Sequence, residues 1–182
     1  ELCAGLQRGD HRFDLNADGL LDDDDLAYYR KMRTWFEQRG DCGAVLIIPG
    51  TGFGDIALVP APFLKNPKGI RDIQEWYVST ALRKDFVLKI FERQCEIAEE
   101  NLNKLIDLFG DTVDVALITG TDFGTQRSQF ISTDAYREMY KPFHTRVNRL
   151  IHEMGEPTNQ VFAVRPIVTM GERTGLLELL EA

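Results

Sequence analysis

The chain of 182 residues carries 43% hydrophobic and 27% charged residues and a net charge of -8. That composition excludes a disordered, collagen-like or disulfide-scaffold protein and suffices for one domain with a sizeable core. A basic nucleic-acid footprint is absent, and an acidic chain gains nothing from an anionic membrane surface, so neither nucleic acid nor membrane is expected as a partner. The acidity is local, because residues 1–25 hold eight of the acids and two of the bases. Cys3, Cys42 and Cys95 are widely spaced, with no Cys-x-x-Cys. They read as free thiols in a reducing, cytoplasmic compartment, with Cys42 and Cys95 as small buried residues.

Taken in chain order, the first feature is the acidic stretch Asp14-Leu-Asn-Ala-Asp-Gly-Leu-Leu-Asp-Asp-Asp-Asp25. Oxygen-bearing side chains fall at loop positions 1, 3, 5, 9 and 12 with glycine at 6, which is the pattern of a calcium loop. The candidate ligands are Asp14, Asn16, Asp18, Leu20, Asp22 and Asp25, since a hard cation needs several converging oxygens. The competing reading is a solvated acidic turn, because acids also favour the first turn of a helix through its dipole. Such loops normally work in pairs, and one is present here.

A helix is expected over about 24–38, where Leu26, Tyr29, Met32 and Phe36 fall at helical spacing before Gly40. Ala44-Val-Leu-Ile-Ile48 then reads as a strand buried on both faces, ended by Pro49-Gly50. The following Gly50-Thr-Gly-Phe-Gly54 lacks the spacing of a dinucleotide loop. Asn66-Pro67 predicts a helix start, and a long amphipathic helix spans about 85–109 with Gly110 as its cap. A second strand is predicted at 113–118, a helix from Ser132 interrupted by Pro142, a third strand at 161–168, and a closing helix over 174–181. Alternating strands and helices argue for α/β architecture with mostly parallel strands. Trp35, Trp76, Tyr77 and Phe91 read as core, and His144 and His152 as surface or helix-end residues.

Loops after the carboxyl ends of parallel strands hold the active sites of such folds. One such loop, Gly120-Thr-Asp-Phe-Gly-Thr-Gln126, follows the 113–118 strand. Asp122 between glycines can approach a ligand closely, and Gln126 and Arg127 can donate to an acidic substrate. The plainer alternative is that Asp122 caps a turn.

The loop continues into Ser-Gln-Phe-Ile-Ser132, then Tyr136-Arg-Glu138, Tyr140-Lys-Pro-Phe-His144 and Ile151-His152. This run resembles the uroporphyrinogen decarboxylase superfamily, more closely its cobalamin-dependent methyltransferase-like branch, over about residues 26–153. The resemblance implies a (β/α)8 TIM-type barrel, partial or truncated here, because such barrels run to about 250 residues. It implies a tetrapyrrole or corrinoid small molecule, or a corrinoid protein, as partner, with cobalamin as substrate or cofactor. The activity implied is decarboxylation or corrinoid-linked methyl transfer. Asp122, Gln126 and Arg127 are then the candidate catalytic residues. Gly50, Thr51, Phe53, Gly120, Phe123, Gly124 and Thr125 would line one side of the cavity. The branch's zinc ligands include cysteines from its later half, and no cysteine follows Cys95 here. A homodimer completing the barrel is a candidate way to cover open sheet edges. The alternative class is a non-catalytic, shortened barrel relative acting as a calcium-binding or interaction module.

Overall fold

The computed structural model describes residues 20–54, 72–118, 121, 123–124, 128–154 and 162–164. The chain enters at helix α1 (Asp23–Glu37). Asp22 starts it through a reciprocal capping box. Its carboxylate accepts the Asp25 N–H at 2.9 Å, and the Asp25 carboxylate accepts the Asp22 N–H at 3.1 Å. Strand β1 (Val45–Ile47) follows. Helix α2 (Ile73–Leu82) is capped by Asp72, which accepts the Glu75 N–H at 2.8 Å. The long α3 (Lys84–Phe109) stops at Gly110, whose φ of 51° favours glycine. Strand β2 (Val115–Leu117) precedes α4 (Thr133–Met139), capped by Ser132 through the Ala135 N–H at 3.1 Å. Helix α5 (Lys141–Met154) carries Pro142 in its first turn, where the missing N–H costs nothing, and β3 (Phe162–Val164) comes last.

The three strands form a parallel sheet in the order β1-β2-β3, with Val45 opposite Val115 and Val115 opposite Phe162. The expected (β/α)8 barrel is therefore overturned. Five α-helices and three strands of three residues make the described part mainly helical. A barrel needs every strand paired on both sides, whereas β1 and β3 are edges among the described residues. Nor is the first strand buried on both faces. Ala44, Leu46 and Ile48 are buried, but Ile47 is 38% exposed. Helices cover one face, and a run of apolar residues does not reveal whether one face or two are covered.

The core lies between the sheet and the α3–α5 pair. Val87, Phe91, Cys95, Ala98, Leu102, Leu105 and Phe109 form the buried stripe of α3, met by Phe143, Val147 and Ile151 of α5. At the margin, Arg146 holds both carboxylate oxygens of Glu99 at 2.9 and 2.7 Å and reaches Glu92 at 2.6 Å. Helix α1 docks on the far end of α3 through Phe36 and Tyr29 against Phe109. Asn101 of α3 accepts the Leu21 N–H at 2.8 Å and Lys104 donates to the Leu21 carbonyl at 3.1 Å, so the residue ahead of α1 is pinned by its backbone.

Two core expectations are corrected. Trp35 is exposed with Lys31 over its ring at 5.4 Å, because its neighbour Phe36 takes the inward position. Cys42 is also exposed, in the turn leading to β1, while Cys95 is buried; both are free thiols. The expected helix start at 66–67 and closing helix at 174–181 lie outside the described residues. No helix among the described residues is long and apolar enough to cross a membrane.

Candidate ligand site at the strand carboxyl ends

Two loops meet where β1 and β2 end. Beyond β1 the Ile48 N–H still donates to the Leu117 carbonyl at 3.0 Å, extending the ladder by one bond. The chain then turns at Gly50, with φ of 81°. The buried Thr51 hydroxyl lies 2.9 Å from the Ile48 carbonyl and also meets the Ile118 carbonyl across the sheet. In return the buried Thr121 hydroxyl donates to the Phe53 carbonyl at 2.9 Å. Two threonines thus tie the loops to each other, satisfying backbone carbonyls that leave the ladder without water.

Aromatic rings seal the floor beneath these ties. Phe53 is fully buried, with ring centroids of Phe91, Phe143 and His144 at 6.0, 5.8 and 5.8 Å. Phe123 sits edge-on to Tyr136 at 5.3 Å and Tyr140 at 4.9 Å. The Nδ1 of His144 lies 3.2 Å from the Tyr136 hydroxyl. Burial and the nearby Tyr77 hydroxyl push the Tyr140 phenol well above its ordinary range, which keeps it neutral. Gly54 closes the first loop with φ of 66°, and a Cβ there would lie 2.7 Å from the Tyr140 hydroxyl and 3.1 Å from the Trp76 ring.

The second loop folds back on itself. Gly124 bridges Gln129 in antiparallel fashion, and the Phe130 N–H donates to the Phe123 carbonyl at 2.9 Å. Phe130 then stacks on Tyr77 of α2, with centroids 4.6 Å apart and rings 24° from parallel.

Of the expected lining, Gly50, Thr51, Phe53, Phe123 and Gly124 do assemble at one end of the sheet. The rings of Phe53 and Phe123 are turned into the core, so in this structure they fix the backbone around them. Asp122, Gln126, Arg127, Gly120 and Thr125 lie outside the described residues. His144, expected at the surface, is buried. Sequence reasoning also missed Tyr136 as its partner. The available signal was the spacing of Tyr136, Tyr140 and His144, four residues apart, which puts them near one line of a helical surface.

The acidic stretch is described only at its end. Asp22 and Asp25 form the capping box, and Asp14, Asn16 and Asp18 lie outside the described residues, as Leu20 does not. Among the described residues no group of three or more His, Cys, Asp or Glu side chains is placed to hold a metal ion. Comparison of the chain with protein-family models, with curated proteins and with solved structures found no match.

Proposed function

We propose that the chain binds an acidic tetrapyrrole or corrinoid-type ligand at the carboxyl ends of β1 and β2, as the likeness of residues 113–152 to the uroporphyrinogen decarboxylase superfamily implies. One observation carries the reading. The loops at 49–55 and 120–127, singled out separately in the sequence, are joined by the Thr51–Ile118 and Thr121–Phe53 hydrogen bonds. A shared site requires that adjacency, and ligands of parallel α/β folds bind at this end of the strands.

The chemistry assigned to each residue follows from its type. Arg127 offers a planar, permanently charged fork for a ligand carboxylate. Gln126 adds a neutral donor. Asp122 is the acid or base nearest the strand end in sequence. In a decarboxylation the carbon–carbon bond to the carboxylate breaks, carbon dioxide leaves, and the carbanion takes a proton, which a positioned acid supplies. In the methyl-transfer variant, the corrinoid carries the methyl group and the protein orients it.

The test is a titration of the purified chain with uroporphyrin III and, separately, hydroxocobalamin, read by absorbance. Saturable binding of one of them is expected. Asp122→Ala and Arg127→Ala should each weaken it about tenfold or more, the loss of one charge-assisted contact. Failure of both probes to bind at 100 times a micromolar dissociation constant, roughly 0.1 mM, ends this reading.

A second reading concerns the other end of the chain. Leu21 is gripped by Asn101 and Lys104, and the capping box brings two carboxylates of the oxygen-rich stretch within one helical turn. Calcium bound at 14–25 would be linked to folding through this anchor and raise the melting temperature. Asp14→Ala with Asp18→Ala should abolish a calcium-dependent shift, and the absence of any shift in the parent chain removes the idea.

A further inference from the structure

We propose that the outward face of helix α2 is a self-association surface, on which a second copy of this chain lays its own α2 antiparallel. The proposal is independent of the ligand reading above.

Among the described residues eight large apolar side chains are exposed. Five of them, Ile73, Val78, Leu82, Phe86 and Phe130, lie on α2, on the first turn of α3 or against α2. The other three, Tyr28, Trp35 and Ile47, are divided between α1 and β1. The residue pattern of α2 explains the clustering. Its buried positions are Trp76, Ser79 and Thr80. The two hydroxyls turn back to the Glu75 and Tyr77 carbonyls of the same helix, each at 2.7 Å. Its outward positions, at helical spacing, are Gln74, Tyr77, Val78, Ala81 and Leu82. Glu75 is the one charge in the ten residues of α2, whereas α3 carries ten charges in twenty-six residues. A helix that is apolar all round belongs inside a protein. Yet Leu82 is 78% and Phe86 54% exposed. A clustered apolar surface of this kind marks an interface.

Charge selects the occupant. The strip is acidic at its N-terminal end, with Asp72 and Glu75, and basic at its C-terminal end, with Arg83 and Lys84. Glu75 pairs with Arg83 and Lys84 with Glu138 within the chain, and all four are partly exposed, so a neighbour can join these pairs. In an antiparallel arrangement about a two-fold axis near Val78, each acidic end meets a basic end and the apolar strips coincide. Such a contact is self-complementary and closes at two copies. A parallel copy would set like charges against each other. The helix is about 15 Å long, so the contact falls at the small end of specific interfaces, under roughly 1,200 Å², and the dimer is weak.

Sedimentation equilibrium of the parent chain from about 1 µM to about 0.5 mM tests this, with half-dimerisation expected at roughly 10–100 µM. The mass should rise with concentration from the 20.7 kDa of one chain towards twice that value. Leu82→Glu and Phe86→Glu put a charge into the strip at exposed positions and should each weaken the dimer about tenfold or more. At about 1 µM, where the parent is monomeric, their melting temperatures should stay within about 2 °C of its own. Val78→Cys, made with Cys3→Ser and Cys42→Ser, should form a disulfide between two copies with oxidised glutathione, and Ile73→Cys in the same background should not. A parent mass that stays at one chain up to about 0.5 mM overturns the proposal. So does dimerisation that both glutamate variants leave unchanged, since the contact then lies elsewhere. A drop of more than about 5 °C in both variants at 1 µM also overturns it, because the strip is then covered within one chain. Trapping through Ile73→Cys rather than Val78→Cys rejects the antiparallel arrangement.

Discussion

The two ends of the parallel strands are fastened in opposite ways. At the amino end the ties are charged and half exposed. Arg39 bonds the Phe36 carbonyl at 2.8 Å and pairs with Asp114 at 3.1 Å, and Asp114 in turn accepts the Ala44 N–H at 2.6 Å. Nearby, Arg33 donates to the Leu108 carbonyl at 2.6 Å. At the carboxyl end the ties are neutral and dry: two threonine hydroxyls on backbone carbonyls, over a floor of rings. Charged ties in contact with water are screened and worth little, whereas dry neutral ones hold a fixed geometry and leave no mobile charge to compete with a ligand. Among the described residues, the end proposed to receive an acidic ligand is thus built as a rigid, uncharged frame.

The comparison is broken most severely at Gly54. Alanine there must adopt a left-handed backbone and place a Cβ against Tyr140 and Trp76, both fully buried and unable to retreat. Strain and overpacking together should cost about 3 kcal/mol, which lowers the melting temperature by roughly 6–12 °C for a chain of this size. Alanine at Gly40, which has a φ of 62° but nothing within 4 Å of its Cβ, carries the backbone cost alone. Urea unfolding of the two variants side by side checks this. Equal losses would mean that the Gly54 loop yields easily and that the carboxyl end is not a rigid frame.

Alkali probes the buried interior more gently. Burial, followed by the Asp25 carboxylate and the Tyr28 phenol, pushes the Tyr29 phenol from 10.0 up to about 12. Burial likewise pushes the Cys95 thiol from 9.0 up to about 12. In both cases the folded chain holds its proton more tightly than the unfolded chain. Stability from these groups is therefore complete below about pH 9 and is lost as the pH climbs towards about 12. The urea midpoint should fall between pH 9 and 12, and Tyr29→Phe should make that fall shallower. A midpoint that is flat across this range contradicts the burial of both groups.

How far the sequence foretold all this depends on which forces local pattern records. Helices were legible because the stripe from Val87 to Phe109 repeats at helical spacing and Gly110 and Ser132 mark ends by their own chemistry, whereas the Asp22 cap was read as a possible calcium ligand. Strand positions were legible because Pro49-Gly50 cuts an apolar run. Closure into a barrel was not, since it depends on strand partners rather than on any one strand. Burial of Trp35 was misjudged because Phe36, about 100° further round the helix, takes the position that faces the core and leaves the Trp35 ring outside. At the candidate site Gly50, Gly124 and Thr51 were picked out, but as ligand contacts, and Thr121 was not picked out at all. Their pairing, Thr51 with Ile118 and Thr121 with Phe53, joins positions 67 and 68 residues apart, and no spacing rule records such a tie.

The smallest expected effect is also the one that sharpens the contrast between the two ends. Asp114→Asn keeps an oxygen to accept the Ala44 N–H and removes the charge that faces Arg39. With the pair partly exposed, its loss should cost under about 1 kcal/mol at low salt. The cost should shrink further in about 1 M sodium chloride, where the screening length falls to roughly 3 Å. Thr51→Val supplies the opposite case at the other end. It removes a buried hydroxyl from two carbonyls at nearly constant volume, which should cost about 1–2 kcal/mol regardless of salt. Stability of both variants measured at low and high salt gives four numbers. A salt-dependent loss for Asp114→Asn beside a salt-independent loss for Thr51→Val means that the charged end and the dry end are physically distinct. An equal response to salt at both ends would mean that water reaches the threonine ties, and the carboxyl end would then lack the dry frame on which the proposed site rests.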